Sequence, residues 1–330
     1  MKINLILDGN FLLNKNMHWL HKNKTLYGDL HTSVINNVLR FTSKYSFNRV
    51  FFVSDSREKS WRYDVLPDYK GKRVKDMTID WDFVHQTYLD IKLELSQKYH
   101  VIMDDRIEGD DWIYSLVKKT NSMGYSNMVI ASDKDLTQLV KYDIDKEYIN
   151  FQISDILNAE KLYLPDNYKV FKNLLKNKEF DIMDMTHNVG LVDIIDKYVE
   201  AFRLNVVEIN TEEVLLKKIV AGDSSDNIKS VYITQTSTGK DRGIGEASAD
   251  KIWKYFNEHF DSSLSKDRTE YVNDVLISIM NVYGVSFDDD LKEHVINNIN
   301  RNIKLIELHH NNLPDFIKEN ITKQLIPIFS

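Results

Sequence analysis

The chain has 330 residues, of which 42% are hydrophobic, 11% aromatic and 28% charged, a globular composition with ample apolar surface for a core. Only 4 prolines and 11 glycines occur, which leaves no long flexible linker, and the lack of cysteine excludes disulfides and thiolate metal sites and fits a reducing compartment. The formal charge of −7, from 43 basic against 50 acidic residues, opposes the basic footprint usual for nucleic-acid binders.

The N-terminal MKINLILDGN is a short apolar run broken by Asp8 and reads as a first strand rather than a signal peptide. No apolar stretch approaches membrane-spanning length, so a soluble, cytoplasmic protein is expected. Four apolar runs end in carboxylates: INLILD at Asp8, RVFFVSD at Asp55, HVIMDD followed by Glu108, and MVIASD at Asp133. Such runs suit strands buried on both faces of a parallel sheet. Helical patterns over about 32–46, 81–98 and 109–122 lie between them, so residues 1–150 are expected to form an open α/β domain. Ligands of such sheets bind beyond the carboxyl ends of the strands, where these acids would converge. After about 150 the pattern becomes mainly helical, near 167–178, 189–203, 212–221, 266–283 and 288–309. One β-like run, NVVEI, lies at 205–209, and a glycine-centred turn between helical flanks at 222–257. Residues 151–330 are therefore expected to be a mainly helical part packed on the first.

The candidate functional acids are Asp8, Asp55, Glu108, Asp110, Asp111, Asp133, Asp135, Asp223 and Asp226. A single Asp at a strand end is ordinarily a turn or cap residue. A whole set on one edge would repel itself unless cations were present. Hard divalent ions such as magnesium take oxygen ligands, and a pair about 4 Å apart stabilises both oxygens of an in-line phosphoryl displacement. From Arg57 to Lys75 seven basic residues meet only three acids, a basic segment in an acidic chain.

The motifs LILDGN (5–10), VSDSREKSWRYDVLPDYKGKR (53–73), EGDDWI (108–113), ASDKDLTQL (131–139), AGDSSDN (221–227) and GIGEASADKI (243–252) occur in an order that resembles the structure-specific 5′-nucleases. That family includes flap endonucleases, the 5′-nuclease domains of bacterial DNA polymerases and bacteriophage RNase H, and the bacteriophage branch is the nearest likeness. The resemblance implies a PIN-like, mostly parallel sheet flanked by helices, with a helix–three-turn–helix (helix–hairpin–helix) element at about 222–257 and an arch at about 56–80. It implies two Mg2+ ions, replaceable by Mn2+. Asp8, Asp55, Glu108 and Asp110 would surround the first, while Asp111, Asp133, Asp135, Asp223 and Asp226 would serve the second. Lys70 and Arg73 would contact the scissile phosphate, Tyr69 would stack on a base, and Lys72 would lie on the same basic face. Gly243 and Gly245 would admit duplex phosphates. Glu246 and Ala247 depart from the family's pattern there, for which Lys240, Arg242 and Lys251 would compensate. Residues 231–241 extend the approach to that element and read as a loop.

The function so implied is a metal-dependent 5′→3′ exonuclease and flap endonuclease. It would act on branched or nicked DNA and RNA–DNA duplexes with 5′ ends and remove RNA primers in replication, as a monomer, with a sliding clamp or single-strand-binding protein as partner. The competing readings are a PIN-like single-strand ribonuclease and a non-catalytic structure-specific DNA-binding protein. The apolar tail KQLIPIFS does not fit the usual clamp-binding pattern and is expected to pack on the body.

Overall fold

The computed structural model describes residues 3–43, 46–143, 148–154, 161–166, 168–169, 195–196, 199–200, 203–260 and 267–330. It separates into two compact units, one of residues 1–60, 75–209 and 315–330, the other of residues 61–74 and 210–314. The division does not follow the boundary expected at about 150.

In the first unit, β1 (Ile3–Asp8), β2 (Arg49–Val53), β3 (His100–Ile102) and β4 (Ser126–Ile130) are mutually parallel, in the order β3-β2-β1-β4. The sheet continues through β6 (Tyr148–Ser154), β7 (Lys161–Pro165) and β8 (Asn205–Ile209), with β5 (Lys141–Asp143) antiparallel to β6. NVVEI is thus a strand of this sheet, paired parallel with β7, and the α/β unit runs well past 150. The described strands form an eight-stranded, mixed but mostly parallel sheet.

Alternation along β1 explains the burial on both faces. Ile3, Leu5 and Leu7 join a core with Leu12, Met17 and Leu20 of α1 (Gly9–Lys22), Val34 and Val38 of α2 (Leu26–Thr42), and Val84 and Ile91 of α3 (Trp81–Ser96). Ile6 points to the other face, where α4 (Gly109–Asn121) buries Ile113, Leu116 and Val117. Sheets covered in this way are made of near-continuous apolar strands. Helices α3 and α4 meet the expected spans within two residues, α2 starts six residues before the expected 32 and ends four before the expected 46, and α1 lies outside every expected span. It begins directly after Asp8, which caps it by accepting the Phe11 N–H at 2.9 Å.

The C-terminal tail lies in a helix, Asp315–Phe329, that belongs to this unit: Gln324 donates to the Met103 carbonyl at 3.1 Å and the Phe329 ring lies 6.0 Å from that of Phe51.

The second unit contains α5 (Thr211–Ala221), the two-stranded antiparallel ribbon β9 (Ile233–Gln235) and β10 (Asp241–Gly243), α6 (Glu246–His259), α7 (Arg268–Tyr283) and α8 (Asp289–Ile306). Leu216, Ile219, Ile252, Phe256, Val275 and Ile299 form its core. The segment read as a loop at 231–241 is this ribbon, which Ser230 anchors by accepting the Ile244 N–H and donating to the Val220 carbonyl. Within 56–80 the only described helix is the single turn Arg62–Val65. The helices expected at 167–178 and 189–203 fall almost wholly outside the described residues.

Gly9 is fixed by contact. A Cβ there would stand 2.4 Å from Phe52 Cε1 and 2.5 Å from the Tyr88 hydroxyl oxygen. Gly9→Ala should therefore destabilise the chain by about 1–3 kcal/mol through overpacking, read as a lower midpoint in urea unfolding.

Candidate metal centre and nucleic-acid interface

Four parallel strands in the order β3-β2-β1-β4 put their carboxyl ends on one edge. The acids follow in the same order: Glu108 and Asp110 at the start of α4, Asp55 just past β2, Asp8 closing β1, and Asp133 just past β4. Each is held by local chemistry. Asp55 accepts the Gly109 N–H at 2.6 Å on one oxygen and the Asn10 side-chain amide at 2.6 Å on the other. Asp133 caps the 3₁₀ turn Lys134–Leu139 through the Asp135 N–H. Asp111 is buried, its carboxylate 3.4 Å from the Glu108 N–H at the head of α4.

Sequence reasoning passed over Asn10. Its side-chain oxygen accepts from the Tyr88 hydroxyl at 3.0 Å and the Asp55 N–H at 3.1 Å while its amide holds Asp55. The available signal was its place beside Asp8 in LILDGN.

Burial raises the Asp8 carboxyl to about 7, with Asp55 and Asp133 adding to the effect and the Phe11 N–H opposing it. Asp8 thus feels the charge of the other two carboxylates. Among the described residues no three His, Asp or Glu groups converge into a closed metal cage. What the edge presents is a row of carboxylate oxygen donors, a chemistry that fits hard divalent cations.

The remaining two acids lie in the second unit and are neutralised there by cations. The Lys218 ammonium lies 2.7 Å from Asp223, which also accepts the Ser225 N–H and hydroxyl. Burial would raise Asp223, but Lys218 and Ser225 outweigh it and hold the carboxyl down at about 2. Asp226 accepts from the Tyr69 hydroxyl at 2.9 Å and from the Arg73 guanidinium at 2.5 Å, and its carbonyl accepts the Lys70 N–H.

These bonds fix the YKGKR segment. Lys70 has a positive φ of 54°, and its ammonium lies 5.0 Å from the centroid of the Tyr69 ring. Tyr69 itself is a core residue of this unit, 3% exposed, with its ring edge-on to Tyr63. It therefore does not present the open face that base stacking requires, and the expectation of a base platform there is corrected. Lys72, Lys240, Arg242 and Lys251 are exposed. Gly243 is called for by an internal contact, since a Cβ would stand 2.8 Å from Ser230 Cβ, whereas a Cβ at Gly245 would meet only open space.

The 5′-3′ exonuclease, N-terminal resolvase-like domain family matches residues 4–168, half of the chain. The chain belongs to this family. Ribonuclease H of Enterobacteria phage T4 is 34% identical over 104 residues, 30% of this chain and 34% of that protein. A 5′-3′ exonuclease of Buchnera aphidicola is 28% identical over 166 residues, 48% of this chain and 55% of that protein. The matches therefore span about a third and about half the length of these relatives. Among solved structures, the bacteriophage T5 D15 flap endonuclease, in a pseudo-enzyme–product complex with DNA and metal ions, superposes with a TM-score of 0.60 at 16% identity over 99% of each chain. That likeness shows a shared fold, as expected for a mostly parallel sheet with a mainly helical C-terminal part. No helix among the described residues is long and apolar enough to cross a membrane.

A carboxyl raised on folding favours the native state fully below its unfolded pKa near 4, and that contribution is lost as pH rises through about 7. In EDTA, stability should fall between about pH 4 and pH 8 by roughly 4 kcal/mol at most. Asp8→Asn should flatten that slope. Thermal melts across the range test this, and an equal slope in the variant would remove Asp8 as its source.

Proposed function

We propose that the chain hydrolyses phosphodiester bonds at the 5′ ends of nucleic acids, as a divalent-metal-dependent 5′→3′ exonuclease and flap endonuclease. Its substrates are nicked or branched DNA and RNA–DNA duplexes, and its task is removal of RNA primers in DNA replication. The observation that carries this reading is the row of acids at the carboxyl ends of four adjacent parallel strands, with Asp8 raised by burial and by its acidic neighbours. Family membership, the relative named ribonuclease H and the fold shared with a flap endonuclease that binds DNA and metal ions support it.

Two magnesium ions, or manganese in their place, suit this donor set. Asp8, Asp55, Glu108, Asp110, Asp133 and Asp135 are the ligands we assign, some acting through water. Asp111 holds the head of α4. Asp223 and Asp226 are paired with Lys218 and Arg73 within the second unit and are not among the ligands we assign. When bound, the ions supply a nucleophilic water at neutral pH and offset charge on the attacking and leaving oxygens.

The chain's own groups do the remaining work. Asn10 and the Gly109 N–H orient Asp55. Lys70 and Arg73 offset charge on the scissile phosphate, and Asp226 holds the segment that carries them. Exposed Lys240, Arg242 and Lys251 offer cations to duplex phosphates without reading sequence. The protein acts as a cytoplasmic monomer, and a sliding clamp or single-strand-binding protein would recruit it through a surface other than Gln324 and Phe329, which pack within the first unit.

A magnesium titration on end-labelled flap, nicked, RNA–DNA and unstructured RNA substrates tests the reading. Cleavage should require the metal, favour substrates with a duplex beside the 5′ end, and release short products. Unstructured RNA cut as fast as the flap would replace this reading with a single-strand ribonuclease. Tight flap binding with no cleavage in magnesium or manganese would leave a binding protein. Asp55→Asn should lower the single-turnover rate by about 100-fold or more, and Lys70→Ala by a similar factor.

A further inference from the structure

A pocket of about 500 Å³ in the first unit shares Asn10 and Asp55 with the acid edge but is of opposite character. Arg57, Lys75, His85 and Lys92 line it, against the acids Asp55 and Asp82, and Trp81 and Tyr88 supply aromatic walls. The Lys92 side chain is buried, its ammonium 4.7 Å from the centroid of the Tyr88 ring. Lys75 lies over the Trp81 ring at 5.5 Å. The Trp81 indole N–H donates to the Asp76 carbonyl at 2.8 Å and fixes the ring.

The cations crowd one another. Burial, then Lys75 and Arg57, lower the His85 pKa against the opposing pull of Asp82, and burial, then Arg57, lowers Lys92. Mutual repulsion of this kind is relieved by an anion. A solvated basic face would spread such groups, whereas here they converge on a cavity with an aromatic plate at its wall. Cations with an aromatic plate suit a phosphate attached to a nucleobase.

We propose that this pocket binds the phosphomonoester of a nucleotide, with the base against Trp81. The nucleotide is either the phosphorylated 5′ terminus of the substrate or a free 5′-mononucleotide. The inference rests on the nucleic-acid reading of the adjoining acids and adds recognition of the terminal phosphate.

The test is binding by the full chain in EDTA, so that it stands apart from cleavage. Titrations with deoxyadenosine 5′-monophosphate and with deoxyadenosine should show at least about tenfold tighter binding of the phosphorylated compound. Lys75→Gln and Arg57→Gln, both at exposed positions, should remove that difference. Trp81→Leu should weaken the mononucleotide while leaving inorganic phosphate unchanged. A nicked duplex with a 5′-phosphate, compared with the same duplex bearing a 5′-hydroxyl, identifies the source. Preference for the phosphorylated end assigns the pocket to the substrate terminus, and equal binding of both ends assigns it to the free mononucleotide. No preference for phosphate in either pair, or a preference untouched by Lys75→Gln and Arg57→Gln, overturns the proposal. Loss of cleavage with phosphate binding intact would instead count against the nuclease reading.

Discussion

Carboxylate crowding at one edge of a parallel sheet is the constraint on which the first unit depends. Strands β3, β2, β1 and β4 end together, and the ends of β3, β1 and β4 lead to a helix or turn whose first residues are acidic or capped by an acid. The same N–H groups that need a cap also need an acceptor. Asp8 serves Phe11, Asp133 serves Asp135, and Asp55 takes the Gly109 N–H at the head of α4. Helix starts thereby hold the acids in place and supply part of the positive field that tolerates them. Burial works against the cap at Asp8, and with a smaller push from Asp55 and Asp133 it raises that carboxyl in spite of the Phe11 N–H.

The second unit manages its carboxylates differently. Asp223 and Asp226 meet full cations, Lys218 and Arg73, rather than helix dipoles. A carboxylate bonded to an ammonium is held far more firmly in its charged form, as the Asp223 pKa near 2 indicates. The consequence for Asp226 is positional. It ties the hydroxyl of Tyr69, the guanidinium of Arg73 and, through its carbonyl, the N–H of Lys70 to one loop. Asn227 adds a bond to the Asp68 carboxylate. The basic segment Tyr69–Arg73 is therefore ordered by one acid, Asp226, more than 150 residues away in sequence, a pairing that spacing alone does not reveal.

Which features were legible follows from the range of the interactions behind them. Apolar runs ending in Asp were readable because strands buried on both faces need apolar side chains at nearly every position. Helix α1 was not, since Asp8 both closes β1 and caps the helix, leaving no turn to separate them. The extension of the sheet to β8 was hidden because pairing of Lys161–Pro165 with Asn205–Ile209 spans some forty residues of chain. Tyr69 looked like a base platform because a YK dipeptide in a basic stretch is exposed on average, whereas its ring fills the second core. Asn10 was passed over because an amide shows its worth only through its partners.

Those partners point to a wider use of buried amides. Asn4 of β1 faces Asn127 of β4, which faces Asn150 of β6, each in register with the next. The Asn127 amide donates to Asn150 and Asn121, and its oxygen accepts from Thr120. All of these residues are buried. An apolar strand can slide along an apolar neighbour at modest cost, because Leu, Ile and Val exchange places readily. An amide ladder cannot: a slip of one residue turns the amides to the other face, and a slip of two parts Asn4 from Asn127 and Asn127 from Asn150. Each buried amide so stranded costs about 1–3 kcal/mol. Asp8 lies four residues beyond Asn4 and Asp133 six beyond Asn127, so the ladder that sets the register of β1 against β4 also sets how these two acids stand relative to one another. The spacing of the carboxylates is thereby fixed by polar contacts at the opposite end of the strands, away from the charge repulsion that would otherwise drive them apart.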